Sequence, residues 1–147
     1  MIDLDRVRAN VRKVLACIGG PARWRPHLKT TKIPRIWRLL VDEGVTSFKC
    51  ATTREAAVLL ETVDEGIDLL FAHPARGPAL RRLDELARRH PGASVSMRVE
   101  HPDDLEDIPE SLGIFLDVDP GMHRTGAPLR NVDGIIEAAH HAGSRLR

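Results

Sequence analysis

The heptapeptide GIFLDVD, Gly113 to Asp119, is the stretch from which the fold is read. Side chains alternate along a strand. Ile114, Leu116 and Val118 therefore share one face, and Phe115, Asp117 and Asp119 the other. SVSMRVE, Ser94 to Glu100, repeats the scheme, with Val95, Met97 and Val99 set against Ser96, Arg98 and Glu100. In WRPHLKT, Trp24 to Thr30, Pro26 and Leu28 oppose Arg25, His27 and Lys29. Strands buried in a parallel sheet usually read apolar on both faces, so a repeatedly charged second face points to strands lining a polar interior. Arg25, Lys29, Lys49 and Arg98 are expected to meet Glu100, Asp117 and Asp119 there.

Outward from these strands, β-rich runs alternate with helical ones. Trp24–Thr30 precedes Ile33–Glu43, Thr46–Ala51 precedes Arg54–Val63, and Asp68–Ala72 precedes Gly77–His90. Ser94–Glu100 precedes a helical turn at Asp103–Leu105, and Gly113–Asp119 precedes Asn131–His141. Ahead of them all, Leu4, Val7, Val11, Val14, Leu15 and Ile18 recur at helical steps, with Asp3 placed to cap and Gly19-Gly20-Pro21 to stop. Alternation of this kind leaves a doubly wound sheet or a barrel, and the charged inner faces favour the barrel. The predicted fold is α/β: a parallel (β/α) barrel of the TIM type, preceded by an N-terminal helix. A complete barrel takes roughly 250 residues and at least about 200. The expectation for 147 residues is a single truncated barrel of about five of the eight βα units. Its fifth strand would expose an unpaired edge unless a partner covers it. The closing HHAGSRLR reads as a helix end approaching another strand.

Composition removes several classes of function. Lys and Arg number 22 against 21 Asp and Glu, for a formal charge of +1, so no basic face for nucleic acid is forced. The pairs Arg81/Arg82 and Arg88/Arg89 read as solvated helix surface. Cys17 and Cys50 belong to no CxxC motif or Cys/His cluster, which signals neither a disulfide framework nor a zinc site and fits a reducing, cytoplasmic setting. Charges interrupt the opening MIDLDRVRANVRKVLACIGG, so a signal peptide is not expected, and no stretch is long enough to span a bilayer. The chain has no tyrosine, so any phenol in its chemistry must come from elsewhere.

The chemistry concentrates in WRPHLKTTKIPRIWRLL. A strand here carries His27 and Lys29 on one face to its carboxyl end, where barrel enzymes place their catalytic groups. A lysine among other cations, here Arg25 and Lys32, has its ammonium form disfavoured, and the free amine can attack an aldehyde. From spacing alone, a surface lysine beside a helix start is the other reading, and Thr30 and Thr31 read equally as helix caps. Lys49 and Arg98 face the interior and read as partners of Asp117, Asp119 or Glu100. Cys50 reads as a small core residue, His123 as an exposed loop histidine, and His73 as a strand-end residue of open role.

RPHLKTTK, followed by EGVTSFKCATTREAAVLL and DVDPGMHRTG, closely resembles the pyridoxal-phosphate enzymes of fold type III, those with the alanine-racemase N-terminal barrel. It is most similar to their D-threonine aldolase and D-serine dehydratase branch. The resemblance covers nearly the whole chain, 1–147, as the N-terminal part of such a barrel without the C-terminal β-domain. It implies that Lys29 forms the Schiff base with pyridoxal phosphate and acts as a base at the substrate α-carbon, the catalytic role. His27 is implied to lie beside the cofactor, and Arg124 to reach its phenolic oxygen or the substrate carboxylate. Gly121 and Gly126 match the turn glycines.

Relatives often read KTHK where this chain has Lys29-Thr30-Thr31-Lys32, and Pro120 fills a slot that commonly holds another residue. The implied activity is that of a lyase on a D-β-hydroxy amino acid, of which this chain is expected to be a truncated part, binding cofactor weakly and weakly active or inactive by itself. D-serine dehydratase, an amino-acid racemase, a noncatalytic cofactor carrier and a non-enzymatic fragment remain open. In relatives a divalent metal sits in the β-domain, so no metal ligand is assigned here, and the full-length family implies a homodimer.

Overall fold

The computed structural model describes residues 2–63 and 66–147. Helix α1, Leu4–Ile18, starts where Asp3 Oδ1 accepts the backbone N–H groups of Asp5 and Arg6 at 3.1 Å each, donors the first helical turn leaves open. It stops at Gly19, whose φ of 84° lies in the left-handed region that closes helices. Four parallel strands follow in sheet order: β1, Ser47–Cys50; β2, Asp68–Phe71; β3, Ser94–Val99; and β4, Gly113–Leu116. Helix α2, Pro34–Asp42, leads into β1, while α3, Thr53–Thr62, and α4, Gly77–Arg89, make the next two crossovers. A 3₁₀ turn at Pro102–Leu105 links β3 to β4, and α5, Val132–Ala142, comes last. The parallel barrel architecture read from the inner-face charges is the one the chain adopts.

Strand alternation builds the core. Phe48 and Cys50, Leu69 and Phe71, Val95, Met97 and Val99, and Ile114 are buried against the helices, which contribute Leu39, Leu59, Leu60, Leu83 and Leu86. Each such side chain contributes about 1.5–3 kcal/mol by leaving water. The opposite faces carry Lys49, Leu70, Arg98 and Phe115, all half-buried. Register sets Lys49, Leu70, Ser96 and Gly113 in one row across the sheet. Helix α3 begins on a reciprocal cap: Thr52 Oγ1 accepts Glu55 N–H at 3.1 Å, and Glu55 Oε2 accepts Ala51 N–H at 2.8 Å.

The expected first strand, Trp24–Thr30, shrinks to one parallel bridge between His27 and Lys49, with Lys49 N–H donating to Pro26 O at 2.9 Å. The chain then turns as a 3₁₀ segment, Leu28–Thr30. Pro26 has no N–H for a ladder. Beyond it, His27 Nδ1 accepts Lys29 N–H at 3.3 Å and His27 O accepts the Thr30 hydroxyl at 2.8 Å, so local bonds replace strand pairing. Thr30 and Thr31 are accordingly not caps of α2. Ile33 occupies the cap position, and Thr31 Oγ1 instead accepts the Trp37 indole N–H at 3.0 Å.

The expected fifth strand, Gly113–Asp119, is interrupted at Asp117. Its N–H donates to Val99 O while its carbonyl turns away to accept Ala127 N–H, both at 2.8 Å. Val118–Asp119 thus become β5, paired in parallel with β6, Ala127–Pro128. The outer edge of β4 is not wholly bare either. Leu146 bridges Ile114, and Arg147 N–H donates to Ile114 O at 3.0 Å, in keeping with a strand beginning at the end of HHAGSRLR.

Helices α1 and α2 are tied by Glu43, which accepts from Arg8 at 2.6 Å and from Arg12 at 2.8 Å. Those two guanidinium groups, Arg12 foremost, hold the carboxyl down at about 2. A depressed carboxyl stabilises the fold fully above its unfolded pKa and loses that contribution as pH falls towards the folded one. Stability of the wild-type chain against denaturant should therefore fall as pH drops from about 4.5 to about 2, and Glu43→Gln should be less stable at neutral pH and show a flatter acid limb. Parallel acid limbs for the two proteins would remove Glu43 as the clasp.

Candidate functional site

At the carboxyl ends of the strands an open cleft of about 460 Å³ is lined by His27, Lys29, Lys49, Leu70, Ala72, His73, Arg98, Phe115, Leu116, Asp117, Arg124 and Thr125. The three residues assigned from the sequence, His27, Lys29 and Arg124, thus converge on one cavity from segments some hundred positions apart. Lys29 reaches it from the 3₁₀ turn after the His27 bridge, and Arg124 from the loop between β5 and β6.

The expected charge pairing holds for one cation. Arg98 sits between Glu100 and Asp117, each at 2.7 Å. Arg25 pairs instead with Asp68, donates to Phe48 O at 3.3 Å and Asp68 O at 3.2 Å, and lies over the Phe115 ring at 5.1 Å. Lys32 pairs with Glu55 at 3.7 Å. The two cations expected to crowd Lys29 are therefore neutralised by carboxylates of their own. Lys49, expected to pair with a carboxylate, has no such partner among the described residues, and neither do Lys29 and Arg124. Arg98 Nε is buried without a hydrogen-bond partner.

His27 lies beside both lysines, through the Lys29 N–H and the backbone bridge to Lys49. Burial pushes its imidazole below the ordinary histidine range, and the positive charges of Lys29 and Lys49 push in the same direction. Its Nδ1 accepts Lys29 N–H, which leaves the proton of the neutral ring on Nε2. Cys50 is fully buried and its thiol is pushed up to about 12, so it is core rather than nucleophile, as expected. His73 lines the cleft edge-on to Phe71, with ring centroids 6.3 Å apart.

Asp119 departs from expectation. It does not join the interior cations; it builds the loop that carries Arg124. Its Oδ1 accepts the N–H groups of Gly121 and His123 at 2.9 and 3.0 Å, and Oδ2 meets His123 Nδ1 at 2.9 Å. The two backbone donors hold the carboxyl below its usual range. His123 is exposed, as read, and stands at φ 53°. Sequence reasoning did not single out Phe115 and Thr125 as lining residues. The inward alternation of GIFLDVD carried the signal for Phe115, whereas Thr125 is brought in by a loop closure that no periodicity encodes.

Among the described residues no group of three or more His, Cys, Asp or Glu side chains is arranged to hold a metal ion, and no helix is long and apolar enough to cross a membrane. The family model described as "Alanine racemase, N-terminal domain" matches residues 2–147, and the chain belongs to this family. Among solved structures it is similar to D-threonine aldolase from Filomicrobium marinum, with 21% identity and a TM-score of 0.71 over 87% of this chain and 36% of that one. Similar too is alanine racemase from Corynebacterium glutamicum, with 21% identity and a TM-score of 0.70 over 99% and 42%. A third is SrLDC in complex with PLP and cadaverine, with 18% identity and a TM-score of 0.68 over 96% and 36%. The chain thus spans well under half the length of each of these proteins. No protein of curated function matches the sequence.

Two glycines of the Arg124 loop give a contrast. Gly121, φ 116°, has open space where a Cβ would stand, whereas at Gly126, φ 100°, a Cβ would lie 2.7 Å from the backbone of both Val118 and Asp119. Gly121→Ala should carry conformational strain alone, of about 1–3 kcal/mol. Gly126→Ala should cost more and should separate β5 from β6. Equal unfolding free energies for the two variants would contradict the close approach.

Proposed function

We propose that the cleft binds pyridoxal phosphate through Lys29, and that the chain is the cofactor-binding part of a lyase acting on a D-β-hydroxy amino acid, in the manner of a D-threonine aldolase. One observation carries this reading: Lys29, His27 and Arg124 line a single cleft whose free cations outnumber its free carboxylates. The donor set fits an anionic aldehyde. Lys29, Lys49 and Arg124 have no internal carboxylate partner among the described residues, and Arg98 keeps a buried, unpartnered N–H. An anion entering here meets charge that the fold has left uncompensated.

Pyridoxal phosphate supplies an electron sink for bonds broken at the substrate α-carbon. The remaining work belongs to the side chains. The Lys29 amine holds the cofactor and, when freed, takes or returns a proton at that carbon. His27, kept neutral, stands beside the lysine without adding a further positive charge. Arg124 takes an anionic oxygen of cofactor or substrate with a fork of donors suited to carboxylates. Which α-carbon bond breaks is not encoded by the lysine motif. An amino-acid racemase is the second reading, favoured by the description of the family model. A homodimer and a divalent metal belong to this proposal only for the complete protein. The two free cysteines, Cys17 exposed and Cys50 buried, suit the reducing cytoplasm we assign to it.

The test is incubation with pyridoxal phosphate, reduction with borohydride and peptide mapping. Label should concentrate on Lys29 and vanish in Lys29→Ala. Label scattered over Lys13, Lys32 and Lys49 would remove Lys29 from the assignment.

A further inference from the structure

We propose that Lys49 is a second ligand-binding group of this cleft: an ammonium that receives an anionic oxygen of the bound molecules, while Lys29 carries the cofactor. The inference rests on the function proposed above for its choice of ligand, but its structural basis is separate. Lys49 lies at the centre of β1, flanked by β2 on one side and by the His27 bridge on the other, so its backbone is pinned. Its side chain is on the inward face, half-buried, and lines the cleft. Among the described residues, the neighbouring inward cations have carboxylate partners: Arg25 has Asp68, and Arg98 has Glu100 and Asp117. Lys49 makes no ion pair or side-chain hydrogen bond among the described residues.

A half-buried cationic side chain without a carboxylate partner presents positive charge that an arriving anion can meet. Arg124 differs in being exposed on a loop, so the pair would supply one fixed and one adjustable cation. Their shared chemistry is recognition of an oxyanion. That oxygen comes either from the phenol of the cofactor or from the carboxylate of the amino acid.

His27 reports on the site. The charged or titratable groups that face it are Lys29, Lys49, Glu55 and His73, and of these Lys29 and Lys49 are the main positive charges. Neutralising Lys49, by mutation or by a bound anion, must raise the pH at which His27 takes its proton. The first measurement therefore follows His27 by NMR titration of its imidazole carbons and protons in the 147-residue chain. The probe is sulfate, a dianion throughout the titration, compared with chloride at equal ionic strength. In the wild type, sulfate should raise the His27 midpoint. In Lys49→Met the midpoint should already be raised in chloride and the sulfate response should fall by more than half, while Lys49→Arg should keep it. A sulfate response in Lys49→Met equal to that of the wild type overturns the proposal.

The second measurement identifies the source of the oxygen. The pyridoxal phosphate concentration needed for half-maximal borohydride label on Lys29 should rise about tenfold in Lys49→Met if the cofactor supplies it, the loss expected for one charge-assisted hydrogen bond. An unchanged concentration, with the sulfate response intact in the wild type, assigns the oxygen to the amino-acid carboxylate. Label on Lys49 itself overturns the proposal, since an amine bonded to the aldehyde is not an anion site. Absence of label on Lys29 would overturn the function proposed above. The sulfate response would then decide the role of Lys49 alone.

Discussion

The hydrogen bond from Lys49 N–H to Pro26 O, at 2.9 Å, holds the site to the sheet. The segment that carries His27 and Lys29 has no ladder of its own and touches β1 at a single bridge. Arg25 reinforces that contact, because its guanidinium reaches the carbonyls of both Phe48 and Asp68 and rests on Phe115. A segment held so briefly is free to turn immediately afterwards. The 3₁₀ turn that follows, Leu28–Thr30, buries Leu28 in the core and leaves Lys29 at the mouth of the cleft.

Charge distribution then separates structural cations from available ones. The carboxylates near the cleft are committed: Asp68 to Arg25, Glu55 to Lys32 and to the Ala51 backbone, Glu100 and Asp117 to Arg98, and Asp119 to its own loop. Partly buried pairs of this kind remove the penalty of unpaired charge, whatever their net contribution to stability. Among the described residues that line the cleft, Lys29, Lys49 and Arg124 are left without a carboxylate. The excess is a property of the fold rather than of the composition, since the chain as a whole is nearly neutral, at +1.

The loop from Asp117 to Ala127 does for Arg124 what the Pro26 contact does for Lys29. Asp117 divides its backbone between two partners, N–H to β3 and carbonyl to Ala127, so the strand ends there and the chain returns upon itself. Asp119 fills the return with bonds to Gly121 and His123, and Gly126 passes so close to Val118 and Asp119 that only a residue without Cβ fits. Two short segments with little regular structure therefore hold the candidate ligands, and a regular sheet with its helices holds the segments.

Much of this was legible in the chain itself. Period-two alternation in SVSMRVE and GIFLDVD announced the inward polar face, and the order of β-rich and helical runs announced the parallel sheet, because burial demands one apolar side per element. The capping Asp3, the stop at Gly19 and the buried role of Cys50 followed from local chemistry alone, whereas Lys29, His27 and Arg124 were implied as a set only by the family resemblance of RPHLKTTK and DPGMHRTG. Ion-pair choice was not legible, because it depends on which side chains the register brings within about 4 Å, and sequence spacing does not encode that distance across strands. Thus Arg25 went to Asp68, Asp119 to His123, and Lys49 to no carboxylate among the described residues. Nor did periodicity reveal that the first strand would shrink to a single bridge, since that outcome turns on competition between a ladder and the local bonds around His27. Sequence by itself determined the helices, the inner strands and, through family resemblance, the candidate residues; tertiary structure decided where the first and last strands gave way and which charges remained free to meet a ligand, because both depend on contacts between distant segments.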